Sequence, residues 1–497
     1  MGVLSMSSTQ NAERKLAAER GDTPLLPSER MWGFWEFTYA NSALAIATWA
    51  FLIGGATALF VGVQAGIAAI IIGNILGVLI MALSTCVASG KYGTEQFTFL
   101  RSMFGANGSR LVYLLAVVFL TMGWLAVLGL MFGRSIDSLT GMVTERAAEP
   151  QGLLVYLAAF FAIGLTAFIV ARGPTSIKVF NTILAPTLVI IMGVMLYLIF
   201  SNSSFAELMA LPALDAPFED KQLNFMIAVE VNMAAGFSWW PYIGNLARLS
   251  KNQRTAFWPN MIGVFGAAVL GEVVGLLAAA RFGNSDPTVW MTQIGGFAFG
   301  IVALGFVAFA NVTSMANILY TSIVGLRQVV GSRLRALKWE LLVVLFCVAP
   351  VVIIFTLPGI YDGFFIFLVW TSALNSALAG IGIADYFILR GQRVSLRHIF
   401  APAPQSAFRY WHGFNPAALL ALVAGFVVYV LIFNPQTLDN AAVFALVSAS
   451  LPSCALAGLV HVVFTRFFVA RTGWGDYPRR VTETREPADM QSAVRAE

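Results

Sequence analysis

The sequence predicts an all-α polytopic membrane protein of about twelve transmembrane helices, and three observations carry that expectation. Hydrophobic residues make up 58% of the 497 and charged residues 11%, whereas an ordinary soluble chain carries roughly 25% charged residues. Apolar runs of about 20 residues, the length needed to cross a bilayer, recur between residues 40 and 468 with no long polar linker among them. The Lys and Arg residues fall into alternate connections, as the positive-inside rule requires.

The runs lie at approximately 40–62, 66–89, 111–133, 152–171, 178–200, 224–246, 256–280, 296–325, 340–357, 363–388, 415–433 and 443–468. An even count with a cytoplasmic start puts Lys91, Arg101 and Arg110 inside, with Arg172, Lys178, Arg248, Lys251 and Arg254. Arg327, Arg333, Arg335, Lys338, the stretch 390–409 and both tails join them, so only Arg134, Arg146, Lys221 and Arg281 of the 30 basic residues are left outside. The largest outer connection, 201–224, is acidic, with Glu207, Asp215, Glu219 and Asp220. The expected organisation is a cytoplasmic segment 1–38, a transmembrane domain 39–468 and a disordered cytoplasmic tail 469–497. Residues 1–30 are polar and unlike a cleaved signal peptide, so both termini are expected in the cytoplasm and the chain in the plasma (inner) membrane.

The net charge of +5 and pI near 9.1 follow from this topology, because short basic connections fix orientation and meet anionic head groups; no nucleic-acid partner is expected. Cys86, Cys347 and Cys454 sit in apolar runs and read as small buried hydrophobes. His398, His412 and His461 are too scattered for a metal cluster, and no P-loop, nucleophile elbow or zinc-spaced Cys pair is present. Neither an enzyme nor an organic cofactor is expected.

Polar side chains within spans are the informative feature, because in lipid they face the bundle interior or a solvated path. In the eighth run Asn311, Thr313, Ser314, Asn317 and Thr321 share faces at i, i+3 and i, i+4. Amides suit a heterocycle with adjacent C=O and N–H groups, and hydroxyls suit Na⁺; the same residues also suit hydrogen bonding between neighbouring spans. The sixth run holds Gly236 and Pro241 around Trp239 and Trp240, which marks either a broken helix at a midplane site or a Pro kink with two packing indoles. Trp124 lies deep in the third run, away from the interfacial belt where Trp usually sits. It is a stacking wall or a packing residue. Glu230 and Glu272 are intramembrane carboxylates and therefore proton-coupling candidates, with structural hydrogen bonding as the other reading. Asp385, beside Arg390, reads as structural.

Several segments together resemble the nucleobase:cation symporter-1 family, also called the purine and cytosine permease family. They are residues 21–32 ahead of the first span, Tyr92 to Phe97, Arg101 to Gly105 with Gly108, Gly123-Trp124, Ser238 to Pro241, Asn245 to Arg248, Asn311 to Ser314, and Ile383 to Arg390. The resemblance implies a leucine-transporter-type fold of two inverted five-helix repeats, with spans one and six broken and two extra carboxyl-terminal helices. It implies alternating access coupled to Na⁺ or H⁺. Trp124 matches the aromatic wall of the third span; Gly236, Phe237 and Trp239 fall where the sixth span faces substrate; and Asn317 matches the amide of the eighth. Thr313 and Ser314 resemble a hydroxyl pair that binds Na⁺ with carbonyls of Ala45 to Thr48. Three departures stand out. Leu128 replaces a Gln one turn after the third-span Trp, Asn245 replaces an acidic residue, and another register of span eight puts Asn311 and Val312 at the cation position.

The expected function is secondary active import of a nucleobase or related nitrogen heterocycle. A carrier of the same fold for a vitamin, amino acid or organic cation, or a channel, is the alternative.

Overall fold

The computed structural model describes residues 23–330, 336–401 and 403–477. The first 22 residues of the expected segment 1–38, residues 478–497 of the expected tail, and Arg333 and Arg335 lie outside the described residues.

Each apolar run forms helix. The first run is two pieces, α1 (Phe34–Ala45) and α2 (Thr48–Phe60), bent by 55° at the break. Then follow α3 (Val63–Tyr92), α4 (Arg101–Thr144), α5 (Leu153–Ala171) and α6 (Pro174–Ser201). The sixth run gives α7 (Lys221–Ser238) and α8 (Trp240–Ala247). After these come α9 (Gln253–Phe282), α10 (Gly296–Val329), α11 (Trp339–Thr356), α12 (Phe364–Leu389), α13 (Pro416–Ile432) and α14 (Ser450–Thr472). Among the described residues, nine helices are long and apolar enough to cross a membrane, or ten with the bent pair counted as one span. The expected twelve is not reached on that criterion: α13 is too short, and α7 carries Lys221, Glu230 and Asn232 among its apolar residues.

The outer faces are apolar, the reverse of a soluble bundle. Leu153, Leu157, Phe161 and Phe168 line the exposed side of α5, and Ile183, Ile190 and Tyr197 that of α6. The polar side chains point inward, with Asn41, Asn74, Glu230, Asn232, Glu272, Asn311, Asn317 and Asn375 all fully buried or nearly so. Helices α2, α3, α7 and α9 pack on one another, as do α4, α5, α10 and α11, which makes two four-membered groups facing across α1 and α8. α12, α13 and α14 pack together beside α7.

Gly236, expected at the substrate, is instead a packing glycine. A Cβ on it would lie 2.7 Å from the backbone of Gly77 in α3, so its bare Cα is what allows α3 and α7 to approach. Glu230, a proton-coupling candidate in the sequence, is placed as a helix cap. Its Oε2 accepts from the backbone N–H groups of Ala449 and Ser450 at the start of α14, at 3.1 and 3.2 Å. Its Oε1 accepts from Tyr429 Oη at 2.7 Å and Ser450 Oγ at 2.5 Å. A helix start buried in an apolar bundle needs acceptors for its free N–H groups, and this carboxylate supplies them while tying α7 to α13 and α14.

Replacing Glu230 by Ala leaves those donors unpartnered, and a loss of about 3 kcal/mol of stability is expected. Unfolding of the purified protein in detergent measures it. A loss of under about 0.5 kcal/mol, the range of an inconsequential surface change, would remove the capping role.

Candidate functional site

The break in the first span is the structural centre of the site. Ile46 (φ −104°, ψ 93°) and Ala47 (φ −146°, ψ −178°) are extended, so the last carbonyls of α1 lose their helical partners. Side chains replace them. Thr313 Oγ1 donates to Ala43 C=O at 3.4 Å and Ser314 Oγ to Leu44 C=O at 3.0 Å, both from α10. Trp49 Nε1, at the start of α2, also reaches Leu44 C=O at 3.4 Å. The hydroxyl pair therefore meets the carbonyls of Ala43 and Leu44, the two residues just before the expected Ala45 to Thr48. Thr48 receives Asn311 Nδ2 at 2.8 Å instead. The two registers proposed for span eight thus fall on the two sides of one break. Hydroxyl and carbonyl oxygens gathered in this way are the donor set a hard cation takes, whereas Asn311 approaches Thr48 with an N–H.

Span six departs from expectation in how it is interrupted. Trp239 keeps helical dihedrals (φ −77°, ψ −12°) between α7 and α8, and the interruption lies in the hydrogen-bond ladder. Pro241 has no N–H to offer Phe237 C=O, which accepts instead from Trp239 N–H and from Asn375 Nδ2 of α12, the latter at 3.2 Å. One turn on, the Gln96 side chain inserts into the ladder, donating to Trp240 C=O at 2.7 Å and accepting from Gly244 N–H at 3.1 Å. Asn245, which stands where an acid is usual in the resemblance, accepts from Gln96 N–H at 2.7 Å and donates to Thr321 C=O of α10 at 3.2 Å. A carboxylate could not make the second bond.

An aromatic cluster adjoins the break. Trp124 and Trp239 lie nearly parallel, centroids 6.5 Å apart and planes 25° apart. Trp49 stands edge-on to both, at 6.1 and 5.3 Å. Phe364 and Phe367 of α12 close over Trp124 at 5.2 and 5.9 Å. A flat ring between two others needs about 7 Å between the outer planes, so a small separation of α4 from α7 would admit one. Trp124 Nε1 and Asn375 Oδ1 are buried without a partner among the described residues, which leaves one donor and one acceptor of the kind that a cyclic amide satisfies. Phe237 is fully buried, and its carbonyl, not its ring, makes the contact with Asn375.

Asn317 is placed elsewhere. It exchanges hydrogen bonds with Asn181 of α6 at 3.3 Å in both directions and donates to Thr313 C=O at 2.9 Å. Its amide is thus engaged against α6. Glu272 is different again: Oε2 accepts from Asn74 Nδ2 at 2.5 Å, and Oε1 is buried with no partner among the described residues. Asn74 also reaches Asn232 Oδ1 at 3.3 Å, and Asn232 reaches Thr57 Oγ1 at 2.9 Å, so a polar chain links α9, α3, α7 and α2.

Both ends of the bundle are tied shut. At the basic end Asn245 holds α8 to α10, and Arg248 Nη2 reaches Tyr320 Oη at 3.3 Å. At the acidic end Arg134 of α4 pairs with Asp286 at 3.4 Å and Asp362 at 2.7 Å, its guanidinium 3.7 Å from the Tyr361 ring centroid.

Trp49, Gln96 and Asn375 were not singled out from the sequence. Trp49 meets the criterion applied to Trp124, a Trp inside an apolar run. Asn375 meets the criterion applied to span eight, a polar group in an apolar span. Gln96 lies in a connection and carried no such signal.

A family profile described as permease for cytosine/purines, uracil, thiamine, allantoin matches residues 24–451. The chain is similar to the hydantoin permease of Microbacterium maritypicum, 23% identical over 504 aligned residues that span 98% of each chain. It is also similar to the purine-uracil permease NCS1 of Arabidopsis thaliana, 22% identical over 432 residues, covering 82% of this chain and 70% of that one. Among solved structures, Mhp1, a nucleobase-cation-symport-1 family transporter in a closed conformation with bromovinylhydantoin bound, superposes with a TM-score of 0.73 at 21% identity, over 91% of this chain and 96% of that one. The fold is shared, and the profile match takes in all but the ends of the sequence: the chain belongs to the family of permeases for cytosine/purines, uracil, thiamine and allantoin.

Proposed function

We propose that this permease is a cation-coupled symporter importing a nucleobase or related nitrogen heterocycle, such as a pyrimidine, purine, hydantoin or allantoin, by alternating access. The observation that carries the reading is Trp49. Its indole N–H shares the Leu44 carbonyl with Ser314, and its ring stands edge-on to Trp124 and Trp239, so one side chain touches the cation oxygens and the aromatic cluster. The relatives named for hydantoin and for purine and uracil support the solute class. Both termini are assigned to the cytoplasm and the chain to the plasma membrane, on the distribution of Lys and Arg.

In this mechanism Na⁺ lies among Thr313, Ser314 and the carbonyls of Ala43 and Leu44. It draws the Leu44 carbonyl away from Trp49, and the freed indole lets the heterocycle stack between Trp124 and Trp239. Trp124 Nε1 and Asn375 Oδ1 read its edge. Release of the Arg134 cluster opens the acidic end, and release of Asn245 and Arg248 from α10 opens the basic end. A carrier must never release both together.

Trp124→Ala and Asn375→Ala, each at wild-type abundance in the membrane, are expected to weaken stabilisation by the recognised heterocycle about tenfold. A thermal-shift panel of nucleobases, hydantoins and vitamins, with and without Na⁺, reads this. If no ring compound on the panel shifts the wild-type protein, the solute class is wrong.

Proton coupling is a second reading, favoured by the unpartnered Oε1 of Glu272. Uptake of labelled solute into vesicles under a Na⁺ gradient or a pH gradient separates the two. Under Na⁺ coupling, Ser314→Ala should lower the apparent Na⁺ affinity about tenfold, and Glu272→Gln should leave the Na⁺ dependence intact. Uptake driven by pH alone and abolished in Glu272→Gln would replace Na⁺ with H⁺. Uptake indifferent to both gradients would sink the symport.

A further inference from the structure

A cavity lies at the basic end of the bundle, and no residue of the aromatic cluster lines it. It has a volume of about 620 Å³ and sits between the start of α4, the end of α10 and the connection from α12 to α13. Three arginines line it, Arg101, Arg110 and Arg409, with His398 and His412, and no carboxylate is among the described lining residues. Unlike charges usually accompany one another on protein surfaces; here one sign is concentrated in a concave space, where the field is focused.

The walls are held in place by backbone. Gly105 adopts φ 81°, ψ 172°, a left-handed conformation that favours glycine, and it opens the first turns of α4. The turn at His412 and Gly413 enters this opening. Asn107 and Gly108 N–H donate to Gly413 C=O at 2.8 and 3.1 Å, and Asn415 N–H donates to Phe104 C=O at 2.8 Å. Asn107 Nδ2 adds a bond to His412 C=O at 2.9 Å, and Asn415 Nδ2 one to Met103 C=O at 2.6 Å. The connection carrying Arg409 and His412 is therefore fixed against the helix carrying Arg101 and Arg110.

Part of the donor capacity is uncommitted. The Arg409 side chain makes no hydrogen bond or ion pair among the described residues, and Arg110 bonds Asn107 Oδ1 at 2.8 Å through Nη1. Arg101 Nη2 holds Gln328 C=O at the end of α10, at 2.6 Å, which links the cavity to the helix bearing Thr313 and Ser314. Guanidinium groups arranged around a concave space fit a tetrahedral oxyanion through paired N–H donors. Trp411 and Phe400 lie beside it, 62% and 39% exposed, as aromatic side chains do at the head-group level of a bilayer.

We propose that this cavity binds a phosphate group, carried either by an anionic phospholipid head group or by a small phosphorylated solute. The cavity is separate from the proposed transport path and its occupancy does not depend on the solute carried. A bound phosphate bridges Arg110 and Arg409, joining α4 to the connection that follows α12, next to the Arg101 contact with α10.

The test uses the full-length protein in phosphatidylcholine nanodiscs, with melting followed under two titrations at constant ionic strength. One raises inorganic phosphate against chloride, and the other raises the fraction of phosphatidylglycerol in the disc. Wild-type protein is expected to be stabilised by at least one. Stabilisation by inorganic phosphate identifies a soluble phosphate as the source, and stabilisation by phosphatidylglycerol alone identifies the head group. The Arg110→Gln/Arg409→Gln double variant should respond about thirtyfold more weakly. Arg409→Gln alone, which has no partner to lose, should be about fivefold weaker. Arg393→Gln/Arg397→Gln, which removes two exposed arginines outside the cavity, should respond as wild type. The proposal is overturned if neither titration stabilises the wild type, if the cavity variants respond like it, or if the outside pair loses the response equally.

Discussion

A helix interrupted inside an apolar bundle must find partners for the backbone groups it frees, because the surroundings supply no water to do so. The Leu44 carbonyl is where this protein meets that demand. Its two donors come from opposite sides, Ser314 from α10 and Trp49 from α2, so satisfying one carbonyl also fixes the register of α10 and turns an indole toward Trp124 and Trp239. The proposed coupling of ion to solute follows from this sharing. An oxygen that serves a hydroxyl, an indole and a cation in turn cannot change one partner without disturbing the others.

Span six answers the same demand differently. Pro241 removes an N–H and Gln96 enters the ladder one turn later, yet the dihedrals stay helical. Side-chain amides stand in for backbone donors: Asn375 at Phe237 and Gln96 at Trp240. Such a segment is pinned by three other elements without being unwound. In the proposed transport its solute-facing side chain is Trp239, next to Asn375 of α12, whose Oδ1 has no partner among the described residues. Gly236 serves the approach of α3, a requirement of steric space that no polar ligand would substitute for.

These differences show what a sequence of this kind reveals. The positions of the helices and the break in span one were legible, because hydropathy is a local property of the chain, and the Thr313-Ser314 hydroxyls singled out in span eight do lie against that break. Partner identity was not. Asn317 and Asn375 are both amides in apolar spans, and only the packing of α6 against α10 and α12 against α7 decides that the first is engaged by Asn181 and the second keeps a free acceptor. Gln96 was missed because it sits in a connection that folds back into the bundle, where an expectation of surface exposure fails. The shift of one to two residues from Ala45 to Ala43 and Leu44 has the same origin: the sequence marks that a helix breaks, while the facing helix determines which carbonyls are reached.

The two buried carboxylates make the point most sharply, since composition treats them alike. Glu230 has each oxygen occupied by donors from α13 and α14, including two backbone N–H groups that no other side chain serves. These donors make Glu230 the acceptor that fixes the start of α14 against α7 and α13. Glu272 has one oxygen held by Asn74 and the other free, within a chain of amides that runs through α3 and α7 to Thr57 of α2. A proton on its free oxygen displaces no donor. Helices α2, α3, α7 and α9 form one of the two packed groups, so this chain lies wholly within it and can persist if that group moves as a body against the other.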